Sequence, residues 1–226
     1  MSGLSVTGVV GDFVFGFGTL FAIINPYGLA FVFLERTLGL TEAERRWIAR
    51  RIALNALFIL LVSLFFGTAI LGFFGISVPA LRLAGGLVVA HAGWNMLKEA
   101  PHTTVPAARS SGNYEAVKRI VFFPLTMPLT TGPGTIAAAI ALGAGRGQEV
   151  QTFLLSSAVS FLVVGAICLT ILNAYSGASL MARVLGPEGT RVVTQLSAFL
   201  LLCVGVEIML IGGSDALEDL LLRRGD

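Results

Sequence analysis

Residues 120–144 hold no charged side chain, and within them stand Pro124, Pro128, Gly132, Pro133 and Gly134. An apolar stretch of this length belongs in a helix, since about 20 residues cross the roughly 30 Å of a bilayer's hydrocarbon. Proline inside a helix costs about 3 kcal/mol and glycine about 1. In hydrocarbon a freed backbone group finds no water, so a broken helix survives only where it lines a cavity or is packed in protein. The run therefore predicts a discontinuous span at "TTGPGT", residues 130–135.

The rest of the chain fits a membrane. Of its 226 residues 55% are hydrophobic and 12% charged, with a mean hydropathy of +0.87; soluble domains carry roughly 25% charge. The pattern is not the short alternating one of a β-barrel. We expect an all-α polytopic membrane protein with six spans, at about 13–34, 52–74, 78–97, 120–142, 150–175 and 192–211. The basic residues alternate between connections. Arg36, Arg45, Arg46, Arg50 and Arg51 lie in the first, Lys98, Arg109, Lys118 and Arg119 in the third, and Arg183 and Arg191 in the fifth. The second has Arg82 and the fourth Arg146. The positive-inside bias then puts the odd connections in the cytoplasm and both termini outside. The N-terminus lacks a basic segment and a cleavage pattern, so the first span is expected to be retained.

The polar stretch 99–119 reads as a cytoplasmic linker between two three-helix repeats, 1–98 and 120–226, in one membrane domain. "INPYG" breaks span 1 as "TGPGT" breaks span 4. In the third spans Leu83, Leu87, Met96 and Leu97 match Leu196, Leu200, Met209 and Leu210 at one constant offset. An odd number of spans per repeat makes the repeats inverted, which brings two broken helices together near the midplane. Half-helix ends there suit a small zwitterion, with N–H ends for its carboxylate and C=O ends for its ammonium. The expected substrate-binding residues are Asn25, Pro26 and Gly28 of one break and Thr130, Thr131, Gly132, Pro133, Gly134 and Thr135 of the other. The bland alternatives are a packing kink and threonines bonded to their own helix.

Glu207 is a carboxylate inside span 6 and a candidate for proton coupling; its bland alternative is a snorkelling interfacial acid. His91 and Asn95, one turn apart, are secondary candidates that read best as a hydrogen-bonded pair. Asn55 and Asn173 are expected to bond between helices. Gly85 and Gly86 are expected to allow close packing, Arg82 and Trp94 to anchor at the interface, and Asp12 to cap span 1. Cys168 and Cys203 lie in apolar runs, and the histidines, His91 and His102, are too few for a metal site, so neither metal nor cofactor is implied. A net charge of +2 without a basic stripe gives no reason to expect nucleic acid as a partner.

"NPYG" at 25–28, "LRLAGG" at 81–86 and "FPLTMPLTTGPG" at 123–134 resemble the MarC family, part of the wider set of LysE-like exporters. Hydropathy and six-span layout agree along nearly the whole chain. The resemblance implies a bacterial inner-membrane protein that moves small neutral solutes. This chain departs from the family at Phe31, where proline is frequent, at Thr130 and Thr131, where small apolar residues are frequent, and at Glu207, where a neutral amide is usual. Nothing in these residues supports drug export.

The expected function is secondary transport of small neutral amino acids such as glycine or alanine, with a proton or sodium as coupling ion. The alternative is a channel or passive pore; an accessory subunit is a third class. An enzyme is not expected, since an intramembrane protease needs an acid pair or a Ser–His pair and the spans hold one acid and one histidine. A nucleotide-binding Gly-x-x-x-x-Gly-Lys loop is missing, which argues against ATP-driven pumping. The sequence leaves the substrate, the direction and a homo-oligomeric state open.

Overall fold

The computed structural model describes residues 6–37, 39–98, 121–144 and 150–222. The linker 99–119 and the fourth connection, with Arg146, lie outside the described residues. All described elements are helical: α1 (Val6–Ile24), α2 (Pro26–Arg36), α3 (Glu42–Phe74), α4 (Val78–Lys98), a π-type helix α5 (Val121–Thr130), α6 (Pro133–Ala144), α7 (Val150–Ser176) and α8 (Ala178–Leu222).

Four helical stretches among the described residues are long and apolar enough to cross a membrane: Gly8–Arg36, Glu42–Phe74, Phe153–Ser176 and Glu188–Glu218. The α5–α6 pair, bent by 61°, makes a fifth if it is one span. The third expected span, α4, forms a helix of 21 residues but is not apolar enough to count. Arg82, His91, Trp94, Asn95 and several glycines dilute its hydrophobicity.

Helix ends follow local chemistry. Thr41 and Glu44 form a reciprocal capping box, with Glu44 accepting from the Thr41 amide at 2.8 Å. This satisfies two end donors and starts α3 ten residues before the apolar run at 52. Gly75 ends α3 in the left-handed conformation, φ 66°. The fifth connection is a correction to the expected loop. Only Gly177 separates α7 from α8, and Arg183 and Arg191 stand on helix. The turn comes instead at Gly186, φ 67°, just before Pro187.

The outer surface is apolar, with Phe58, Phe66, Phe73, Leu162 and Leu169 exposed, as a lipid-facing surface requires. Inside, Leu20, Phe33, Ile48, Ile52, Ile167, Ile171 and Tyr175 are buried. Apart from a slight α7–α8 contact, the principal packing runs between α1–α4 and α5–α8. The helices α1 and α2 lie on α7, and α5 and α6 lie on α3; α2 lies on α8, and α6 on α4. The α4–α8 pair is the most extensive. It is antiparallel and glycine-lined: a Cβ on Gly86 would stand 2.7 Å from the Gly205 carbonyl oxygen. Small residues of this kind let helix backbones approach in a membrane. Gly85 and Gly86 thus do what the sequence suggested, Gly86 toward α8 and Gly85 toward α6.

Candidate functional site

The first break is one residue wide. Asn25 sits at φ 45°, ψ 59°, in the left-handed region that asparagine tolerates better than most side chains. The helical hydrogen bonds resume at once: the Asn25 amide donates to the Phe21 carbonyl at 2.8 Å, and the Leu29 amide donates to the Asn25 carbonyl at 3.0 Å. The Asn25 side chain completes the repair. Its Oδ1 accepts from the Gly28 amide at 3.3 Å, capping α2, and its Nδ2 donates to the Ser197 carbonyl of α8 at 3.5 Å. Pro26 follows at the first turn of α2, where a missing N–H does no harm. Gly28 is pressed so closely on Ser197 that any Cβ would overlap its side chain.

The second break is longer and is driven by proline. The residue before a proline is pushed out of the α region, and both such residues in α5 are extended: Phe123 at φ −125°, ψ 123° and Met127 at φ −121°, ψ 125°. Pro128 and Pro133 have no N–H, so Pro124 and Leu129 lose the donors an α-helix would provide. The chain rewinds with a wider bond, the Thr131 amide donating to the Thr126 carbonyl at 2.8 Å. Threonine hydroxyls also take carbonyls five residues back. Thr126 donates to Val121 and Thr130 to Leu125, both at 2.7 Å, and Thr131 donates to Thr126 at 3.1 Å. Thr130 also pairs with the Tyr175 hydroxyl at 2.9 Å, and Asn55 of α3 donates to the Thr126 hydroxyl at 3.3 Å. α6 then begins with Pro133, and Gly134 packs on Val89 and Gly85 of α4.

The two broken spans are neighbours, α1 meeting α6 and α2 meeting α5. Pro26, Gly28, Thr130, Thr131, Gly134 and Thr135 are buried; Asn25 and Gly132 are half-buried, and Pro133 is exposed. The threonine protons at 130 and 131 are committed to the backbone, as the bland alternative had it, which leaves their lone pairs. His91 Nε2 and Asn95 Nδ2 pair at 2.9 Å on the exposed face of α4. Glu207 is exposed on α8. Arg82 makes an ion pair with Asp215, and Lys98 sits over the Trp94 ring at 4.8 Å. Asn55 bonds between helices as expected. Asn173 does not: it is exposed, because Ala174 and Tyr175 take the inward positions of that turn.

Two features escaped the sequence. Tyr175 is 1% exposed, stacks on Phe33 at 4.8 Å and bonds to the second break. The cue available was a lone tyrosine at the end of an apolar run. Asp12 is no cap, because α1 begins at Val6. It lines a cavity of about 280 Å³ with residues of α1, α3, α6 and α7. None of the expected substrate-binding residues lines that cavity.

Apolar helices with broken, side-chain-repaired backbones define a multi-pass α-helical membrane protein. The family described as MarC family integral membrane protein matches residues 11–217. The chain is 31% identical over 205 residues to a UPF0056 membrane protein of Methanocaldococcus jannaschii, covering 91% of this chain and 97% of that one. It is 34% identical over 206 residues to the UPF0056 inner membrane protein MarC of Salmonella typhimurium, covering 87% and 91%. With the UPF0056 membrane protein YvbG of Bacillus subtilis it shares 35% over 192 residues, covering 84% and 88%. The chain belongs to the MarC family. No solved structure matches it.

Proposed function

We propose that the chain is a secondary transporter of small neutral amino acids such as glycine and alanine, built as a six-span 3+3 inverted repeat with both termini outside. The observation that carries this is the matched docking of the two second half-helices. α2 rests on α8 through Gly28 and Ser197, and α6 rests on α4 through Gly134 and Gly85. In the alignment that pairs Leu83 with Leu196, Ser197 falls opposite Ala84, one residue from Gly85. Both half-helices begin with proline, Pro26 buried and Pro133 exposed with Gly134 and Thr135 buried behind it, and an N-terminal dipole end favours a carboxylate. Parting the half-helices from their docking glycines gives the substrate access from one side and then the other. The backbone at Asn25, Pro26, Gly28 and 130–135 is its contact surface. The solute is moved without chemistry.

Purified protein in liposomes, loaded with glycine or alanine, tests this by counterflow. Accelerated exchange is expected, and Gly132→Leu should abolish it, since a Cβ there already stands 2.6 Å from the Pro128 carbonyl oxygen. Thr131→Val should weaken affinity several-fold, for about 1 kcal/mol of lost hydrogen bonding. A flux that rises with concentration and shows no counterflow would mean a passive pore. Glu207→Gln should keep exchange and lose accumulation driven by a pH gradient; unchanged accumulation leaves Glu207 a surface acid.

A further inference from the structure

The two ends of the bundle are built differently. At the end reached by the C-termini of α2 and α7, Phe33, Tyr175 and Thr37 fill the interior. At the other end the cavity of about 280 Å³ lies between α1, α3, α6 and α7. At about 30 Å³ per water it has room for about nine. Asp12, Gly16, Leu64, Ala141, Ser156 and Ser160 are among its walls, and Asp12 is the one charged residue lining it among the described residues. Asp12 has neither a hydrogen-bond nor an ion-pair partner among the described residues. Ser156 donates its proton to the Phe153 carbonyl at 3.1 Å, and Ser160 donates to the Ser156 carbonyl at 2.8 Å. The polar wall is thus a carboxylate and hydroxyls whose protons are spent within α7. Asp12 is exposed and stands just before the apolar run that begins at residue 13, so its charge needs no buried partner. A negative group in a cleft with low-dielectric walls concentrates cations. Asp12 stands 13 residues from Asn25, or about 20 Å along the helix, so this is a separate place from the breaks.

We propose that this cavity is an entry vestibule for an organic ammonium group held by Asp12, which, resting on the transport reading, is the amino group of the solute before its carboxylate reaches the half-helix ends. The test replaces Cys168 and Cys203 by serine and places a single reporter cysteine in the wall, Ser156→Cys on α7 or, independently, Ala141→Cys on α6. A cationic and an anionic methanethiosulfonate reagent are then compared on purified protein. With Asp12 the cationic reagent should react faster relative to the anionic one by about tenfold, and Asp12→Asn should erase the preference while Asp12→Glu keeps it. Ethylammonium should slow the cationic reaction with Asp12 in place and leave it unchanged in Asp12→Asn. The reagent ratio responds to this substitution only if the carboxylate faces the cavity, so an unchanged ratio on Asp12→Asn at both reporters overturns the site. Alanine counterflow is measured in parallel, where Asp12→Asn should raise KM severalfold. If the wild type exchanges no amino acid, the transport reading fails, and the reagent ratio by itself still decides the vestibule.

Discussion

Asn25 and the segment 127–132 both interrupt an apolar span, by opposite means. At Asn25 one residue turns left-handed and the helical bonds on either side persist. At the second break prolines extend Phe123 and Met127, and the two halves meet at 61°. The repairs differ in the same sense. Asn25 caps its own half-helix and reaches across to the Ser197 carbonyl, so the first break is tied to a neighbouring helix. The second break is mended mostly from within, by threonine hydroxyls on carbonyls five residues back, with Tyr175 and Asn55 as outside supports. The lesson is that hydrocarbon tolerates a broken helix when side chains replace the lost backbone partners, and that the replacement sets which neighbour the break depends on.

The two breaks differ most in stability at their docking glycines. A Cβ on Gly28 meets the short, rooted Ser197 side chain and Asn25, whereas on Gly134 it meets the tip of Val89 with the Gly85 carbonyl oxygen at 3.3 Å. Gly28→Ala should therefore destabilise by about 3 kcal/mol and Gly134→Ala by about half as much, both within the overpacking range. Thermal unfolding in detergent gives the order, and equal losses would mean the two docks are equally unyielding.

A smaller effect separates conformation from capping at the first break. Asn25→Ala loses the cap and strains a left-handed residue, for about 2 kcal/mol together. Asn25→Gly loses the cap and the long bond to Ser197 but not the left-handed conformation, and should fall about 1 kcal/mol short of wild type. Identical unfolding midpoints for the two variants would remove the left-handed residue from the explanation.

The smallest effects sharpen the second break. Thr130→Val leaves the Leu125 carbonyl without its hydroxyl and should cost about 1 kcal/mol. Tyr175→Phe keeps the stack on Phe33 and should cost about 0.6 kcal/mol, the average for a hydrogen bond within a membrane. Because the two share one bond, the double variant should lose less than the sum; strict additivity would show that the pair contributes nothing.

Much of this was legible before the structure. The apolar runs put a helix at each expected span, although α1, α3 and α8 begin well before them, and both breaks stand where Asn25-Pro26 and Gly132-Pro133-Gly134 put them. Those are local effects of chain geometry, since proline and glycine act on their own turns wherever they occur. The extent of α3 was partly hidden because a capping box adds polar turns below the apolar run. Asp12 was misread because a residue before an apolar run looks like a cap unless the helix is known to start earlier. Tyr175 was missed because its partners, Phe33 and Thr130, are far away in sequence.

Composition and local pattern suffice to make this protein a set of apolar helices, to fix where those helices break, and to put it in a membrane. These follow from the free energy of moving side chains and backbone groups into hydrocarbon, which depends on composition and near neighbours. Three-dimensional packing was needed to show that each second half-helix docks by a glycine on a helix of the other half, that the threonines spend their protons on their own backbone, and that Asp12 lines a cavity while Phe33 and Tyr175 fill the far end. Such pairings depend on which faces of distant helices meet, and between helices in lipid that choice is made by close packing of shapes, which no local pattern encodes.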